Sequence, residues 1–363
     1  MTKNLINIFI LLIPFAIPAH AQITVQELIE QTGIEASNQA TRDMPGWTGV
    51  DKVILRNGVL DVDAARRTYP DIEFVTVRSE SDALKEAADA DAYIGGCSAT
   101  LIEAAENLIW VQRMSAGVEQ CIDIPRIADG STLLTNMQKM DSPAIAEHAI
   151  AMMMTLARRL PRFVREMETG TWARNERANM QSVAGKKLLV VGLGGIGTEA
   201  ARLGNALGMH VSATRNSSRV GPPFVDYVGL SNELHTLAAE SDVIISALPL
   251  TDSTTNLYDK TFFEGLKPNA IFINVGRGKS VVTDDLFAAL QSGELAAAGL
   301  DVTEPEPLPS DHPLWTLANV IITPHVSSAG GERERRAVLI QENLKRFIAG
   351  DALLNVVDPK KGY

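Results

Sequence analysis

The chain has 363 residues, 45% of them hydrophobic and 21% charged. That balance suits a globular protein with room for two cores, and it excludes a disordered or fibrous chain. A formal net charge of −11 argues against nucleic acid and an anionic membrane surface as partners, so an anionic ligand would need a locally positive pocket.

The first residues differ from the rest. Lys3 precedes an apolar run from Leu5 to Ile17, followed by Pro18, Ala19, His20 and Ala21. A basic start, an apolar core and a small-x-small exit form the pattern of a secretory signal peptide over residues 1–21. The run falls short of the roughly 20 apolar residues a spanning helix needs, so no stable membrane anchor is expected. No twin arginine precedes it, which fits export of an unfolded chain. The predicted location is exported, into a periplasm; the alternative is the cytoplasm, with the leader uncleaved or the start misassigned.

Residues 22 to about 50 read as a helix and linker. From Lys52 short apolar runs alternate with helical stretches. Ile72–Val77, Ala92–Ile94 and Leu108–Gln112 are strand candidates, and Ser81–Ala90 and Ala99–Glu106 helix candidates. Alternation of this kind predicts a parallel sheet covered on both faces. The two cysteines, Cys97 and Cys121, stand in no CxxC or metal-type cluster. They are expected as half-buried free thiols; an oxidising compartment would permit pairing, which spacing alone cannot show.

Ser142–Met167 is the longest helical pattern, with Ser142 as its cap and Pro143 in its first turn. It is apolar on most sides, as a helix buried between two domains would be. The run Met152–Met154 reads as core filling. A second series starts at Lys186, with six strand candidates: Leu188–Val191, His210–Thr214, Asp242–Ala247, Ala270–Val275, Ala297–Val302 and Val320–Thr323. A last helix, about Glu332 to Ala349, is expected to return to the first domain. The fold class is therefore α/β, with two flavodoxin- or Rossmann-like parallel-sheet domains. The first comprises residues 22–145 completed by 328–363. The second, 146–327, is a dinucleotide-binding Rossmann domain.

That assignment rests on Gly192-Leu193-Gly194-Gly195-Ile196-Gly197. This GxGxxG directly follows an apolar strand and opens a helix, the context that makes the pattern credible. Gly192 permits the tight turn, Gly194 lets the backbone approach a pyrophosphate, and Gly197 allows close packing of helix on strand. Amides at the helix start, at Gly195 and Ile196, face the phosphates. An acid at the end of the next strand would select NAD; Thr214-Arg215-Asn216-Ser217-Ser218-Arg219 contains none. Arg215, Asn216, Ser217 and Arg219 instead suit a 2′-phosphate, so NADP(H) is the preferred cofactor and NAD(H) a possible one.

Arg277, Glu306 and His325 follow strand candidates of the second series, where open α/β sheets place ligands. Taken singly, each would read as a surface ion pair, a turn or a structural histidine. VGLGGIG at 191–197, NVGRG at 274–278, GLDVTEPEP at 299–307 and TPH at 323–325 occur in that order. In this the chain resembles the D-isomer-specific 2-hydroxyacid dehydrogenase family over nearly its whole mature length. Ser115-Ala116-Gly117 and Ala146-Glu147-His148 stand in the expected places. The Arg215–Arg219 loop is similar to that of the glyoxylate and hydroxypyruvate reductase branch.

The resemblance implies an NAD(P)-dependent enzyme reducing a small 2-keto acid. His325 would be the acid, because imidazole titrates near neutrality, and Glu306 would orient it. Arg277 would clamp the substrate carboxylate and polarise the carbonyl, with the amides of Ser115, Ala116 and Gly117 on the same carboxylate. Pro249 and Asp301 belong with the cofactor residues, Asp301 acting from behind the site. A homodimer formed through the cofactor domains around the connecting helix is also implied. His148 reads as structural, while Trp110, Arg113 and Trp315 could serve the pocket or simply pack. No metal or hydrolase motif is present. The rival reading is a non-catalytic dinucleotide sensor, against which the three residues together count. Formate oxidation is disfavoured by Glu306, where similar formate enzymes carry Gln.

Overall fold

The computed structural model describes residues 23–174, 180–331 and 333–362, so the predicted leader lies outside the described residues. Two parallel sheets form the chain. The first contains β1 (Lys52–Arg56), β2 (Glu73–Val77), β3 (Ala92–Gly95), β4 (Trp110–Arg113) and β5 (Leu133–Thr135), in the order β2-β1-β3-β4-β5. Ile54 pairs with Tyr93, Tyr93 with Val111 and Val111 with Leu134. These residues face one core with Leu101, Ile102 and Ile124. Their neighbours Val53, Leu55, Ile94 and Trp110 face the other. Alternate side chains point to opposite faces of a strand, so burial on both sides produces the continuous apolar runs seen in the sequence.

The second sheet contains β6 (Lys187–Val191), β7 (His210–Thr214), β8 (Tyr227–Gly229), β9 (Val243–Ser246), β10 (Ile271–Asn274), β11 (Ala297–Leu300) and β12 (Val320–Ile322). Its order is β12-β11-β10-β9-β6-β7-β8. Six of the seven were expected. β8 is only three residues long and ends in glycine, too short for a periodic signal.

The long helical pattern is two helices, Ser142–Ala157 and Leu160–Glu168. Between them Arg159 takes a left-handed φ of 51°. Pro161 is the cause: it has no N–H for the carbonyl of Ala157, and its ring would clash there. Asp141, not Ser142, holds the cap position, and it makes no side-chain cap bond. Its carboxylate instead receives Arg336 Nε at 2.9 Å. The first of the two helices packs Ala149, Met152, Met153 and Leu156 against Leu188, Val190, Ile245 and Ile273. Gly299 on β11 makes room for Met152, whose Sδ lies 3.0 Å from where a Cβ would stand.

The helix Arg333–Ala349 returns to the first sheet, burying Leu339, Ile340, Leu344 and Phe347 with Leu28, Val53 and Trp110. No helix among the described residues is long and apolar enough to cross a membrane. The cysteines correct the sequence reading: Cys97 and Cys121 form a disulfide, with Cα atoms 5.9 Å apart. Cys97 follows β3 by two residues, and Cys121 lies in the turn after β4. Adjacent parallel strands bring those ends together, which a separation of 24 in sequence conceals.

Candidate active site

The chain leaves β6 toward β7 and β8 on one side, then returns for β9 to β12 on the other. The crevice beyond β6 and β9 is thus the switch point where such sheets bind ligands. Gly192, with φ 96°, turns the chain out of β6. A Cβ on Gly197 would run into the Gly192 carbonyl, whereas one on Gly194 would meet no atom within 4 Å. The first glycine contact closes helix on strand, and the second leaves the backbone open to a pyrophosphate. The helix Gly195–Ala206 begins there. Its Ile196 packs on the core. Pro249 is half-buried after β9, and the adjacent Leu248 lies 2.9 Å from where a Gly192 Cβ would stand. These residues fit a dinucleotide.

The basic loop divides. Arg215 follows β7, and its Nη1 donates to the Val220 carbonyl at 3.0 Å. Asn216 and Ser217 are exposed beside it. Arg219 is spent elsewhere, donating to the Tyr227 hydroxyl at 2.9 Å and pairing with Glu233 at 2.8 Å. The Tyr227 hydroxyl, the Leu230 amide and Arg219 together hold the Glu233 carboxyl down at about 2. Lys139, which stands in no motif, also reaches this crevice. Its backbone has a φ of 71°, and its Cγ lies 2.9 Å from where a Gly195 Cβ would stand. Burial depresses its ammonium below the ordinary lysine range, and Arg215 nearby adds to this against Glu35.

Across the crevice, Ser115, Ala116 and Gly117 follow β4. Asn136 Nδ2 donates to the Ala116 carbonyl at 2.8 Å and Arg113 Nε to the Gly117 carbonyl at 2.5 Å. Among the described residues the amides of Ser115, Ala116 and Gly117 have no protein acceptor. Arg277, after β10, comes to the same turn: a Cβ on Gly117 would collide with its Nη2. Three amides without a partner among the described residues and a guanidinium are the kind of donor set that suits an anion. Arg277 Nε also donates to Glu119 Oε1 at 2.7 Å. Sequence reasoning missed Glu119, which has no motif signal.

His325 follows β12 with a left-handed φ of 54°. Its Nδ1 lies 2.6 Å from Glu306 Oε1. A carboxylate only accepts, so Nδ1–H donates and Nε2 faces outward. Asp301 lies behind the site, where its fully buried carboxylate braces the histidine turn. Oδ1 accepts from Thr323 Oγ1 at 2.6 Å and the Val326 amide at 3.0 Å, and Oδ2 from the Ser327 amide at 3.1 Å. Burial raises its pKa, but bonds from Ser327, Thr323 and Val326 outweigh that and hold it below the ordinary aspartate value. Thr323 gives its hydroxyl proton to Asp301, so His148 Nε2–H donates to Thr323 Oγ1, 2.9 Å away. Trp110 is fully buried, bonded to Thr135, and Trp315 bonds the Pro309 carbonyl.

β10, β11 and β12 are neighbours, with Asn274 opposite Leu300 and Leu300 opposite Ile322. Arg277 and the Glu306–His325 pair therefore follow the C-terminal ends of neighbouring strands, and Arg277 reaches the amide turn of the other sheet. Residues 150–327 match the D-isomer specific 2-hydroxyacid dehydrogenase, NAD binding domain. The glyoxylate reductase/hydroxypyruvate reductase of Mus musculus is 36% identical over 70% of this chain and 78% of its own length. The chain belongs to the D-isomer specific 2-hydroxyacid dehydrogenase family. It is thus an NAD(P)-dependent family enzyme. The D-3-phosphoglycerate dehydrogenase of Archaeoglobus fulgidus is 32% identical over 82% of this chain, which spans 57% of that protein's length. The NADPH-dependent glyoxylate/hydroxypyruvate reductase of Sinorhizobium meliloti, solved with NADP and sulfate, superposes with a TM-score of 0.73 at 26% identity. It covers 86% of this chain and 100% of that one.

Proposed function

We propose that this family member is an NADPH-preferring reductase converting a small 2-keto acid, of the glyoxylate or hydroxypyruvate kind, to a D-2-hydroxy acid. The observation that carries the reading is the set of three unpaired amides at Ser115–Gly117 beside the Arg277 guanidinium. It suits one carboxylate, and the His325–Glu306 pair supplies the proton chemistry. Residues 22–145 with 328–363 would hold the substrate, and 146–327 the cofactor.

The reduced nicotinamide, when bound, supplies a hydride to the keto carbon. Arg277 and the amides fix the carboxylate and draw electron density onto the carbonyl oxygen. His325 Nε2 passes its proton to that oxygen, while Glu306 at Nδ1 holds the ring and balances its charge. Asp301 keeps the histidine turn in place. Preference for NADPH rests on Arg215 and on the lack of an acid after β7. Arg219 contributes less, because Glu233 already neutralises it. The test is loss of reduced-nicotinamide absorbance with NADPH and NADH over glyoxylate, hydroxypyruvate, pyruvate and phenylpyruvate. Faster turnover with NADH would remove the cofactor preference. Cofactor binding without turnover would favour dinucleotide sensing.

Two further assignments belong to this reading. Leu160, Val164, Met167 and Trp172 expose an apolar face on and after the helix Leu160–Glu168. That face suits a homodimer, which light scattering would test. The Cys97–Cys121 disulfide supports an oxidising compartment for the mature chain, and with it export after cleavage at Ala21. A single full-length cytoplasmic band in fractionated cells would remove that assignment.

A further inference from the structure

We propose that Glu119 positions Arg277 for the substrate and that the Cys97–Cys121 disulfide holds Glu119 in place. Arg277 uses two of its three nitrogens on the protein: Nε donates to Glu119 Oε1 at 2.7 Å, and Nη1 to the Gly276 carbonyl at 2.8 Å. These two bonds fix the plane of the guanidinium. They leave Nη2 over Gly117, on the side of the unpaired amides. Both side chains are about two-thirds buried, with exposures of 28% and 32%. Desolvation of a partly buried pair offsets most of its attraction, so the pair adds little net stability. Its carboxylate also weakens the pull of Arg277 on an anion. The contribution that remains is orientation: a carboxylate must meet Nη2 and the amides at once.

Glu119 sits in a segment the disulfide pins. Cys121, two residues on, is fully buried and bonded to Cys97 beyond β3, and Val118 and Ile124 are buried on either side. The same bridge reaches the amide turn. Cys97 Sγ accepts from Arg113 Nη1 at 3.3 Å, and Arg113 Nε donates to Ser115 Oγ at 3.0 Å and to the Gly117 carbonyl at 2.5 Å. One covalent link thus steadies both halves of the anion site. A dithiol reductant would pass two electrons and two protons to the bridge, becoming a cyclic disulfide itself and leaving Cys97 and Cys121 as thiols. The segment carrying Glu119 would then be tied to β3 by packing alone.

The kinetic test rests on the proposed function; a second readout does not. Glu119→Ala should raise the KM for the keto acid on the order of tenfold, the loss of one charge-assisted bond. Its kcat and the KM for NADPH should change far less. Glu119→Gln, which keeps an oxygen facing Nε, should recover most of the loss. Dithiothreitol should raise the wild-type KM in the same way, reversibly on reoxidation, and should leave the Cys97→Ala, Cys121→Ala double variant unaffected. Independently of turnover, phenylglyoxal labelling of Arg277, read by peptide mass, should quicken several-fold in Glu119→Ala and in the reduced protein. A KM at or below wild type in Glu119→Ala, or unchanged labelling, overturns the positioning role. A wild-type KM and labelling rate indifferent to reductant overturn the role of the disulfide. A wild type that turns over no keto acid removes the proposed function, and labelling alone then decides this proposal.

Discussion

Asp301→Asn tests how the histidine is held. The carboxylate accepts from Thr323 and Val326 at one oxygen and from Ser327 at the other. An asparagine can accept at one oxygen only, and its NH2 would then face the Ser327 amide, donor against donor. A buried donor left without a partner costs about 1–3 kcal/mol, so the variant should lose about 2 kcal/mol in urea unfolding. The activity loss has a separate origin. His325 holds a left-handed backbone, which costs about 1–2 kcal/mol for a residue with a Cβ. Once the braces on both sides weaken, that strain is released by swinging the ring off Glu306. Because about 1.4 kcal/mol is a factor of ten, kcat should fall roughly tenfold. The pH dependence has a definite sign. Asp301 is held below the ordinary aspartate value, so its stabilisation is complete above about pH 4 and fades as pH falls through the lowered pKa. The gap between wild type and variant should therefore be widest near neutrality and narrow in acid. A variant matching wild type in both the urea midpoint and kcat would refute the bracing role.

His325→Gln should lower kcat about 10²- to 10⁴-fold, with NADPH affinity unchanged in a fluorescence titration; Glu306→Gln should do less. Arg215→Ala should cut the NADPH-over-NADH ratio of kcat/KM by about tenfold or more, the worth of one charged hydrogen bond, while Arg219→Ala should move it less because Glu233 already holds that side chain. An equal effect of the two would count against the division of the loop. Gly194→Ala should leave thermal stability of the free protein intact, since a Cβ there meets nothing, yet weaken NADPH binding. Gly197→Ala should harm both, through the Gly192 carbonyl.

The sheets were legible because buried parallel strands are nearly continuous apolar runs, and the crevice because GxGxxG carries its own geometry. Arg277, Glu306 and His325 could be named because ordered motifs surround them. Glu119, Asn136 and Lys139 could not. Each acts through a partner distant in the chain, and only the meeting of two sheet edges places it. The break at Arg159 was written at Pro161 but masked by apolar residues on both sides. Arg219 looked available because its partners Tyr227 and Glu233 lie on and after a strand too short to notice. Free cysteines were expected because the closeness of two strand ends is a property of the sheet, absent from spacing.

The return of the helix Arg333–Ala349 bears on the order of folding. Its four fully buried side chains, Leu339, Ile340, Leu344 and Phe347, are worth on the order of 8 kcal/mol to the first core. Ala36 bridges to Leu354 and Thr135 to Val356, so the last turns of the chain close what the first strands began. During synthesis the second sheet can condense on its own residues, whereas the first must wait for almost the last. The half that leaves the ribosome first therefore stays incomplete until translation is nearly over.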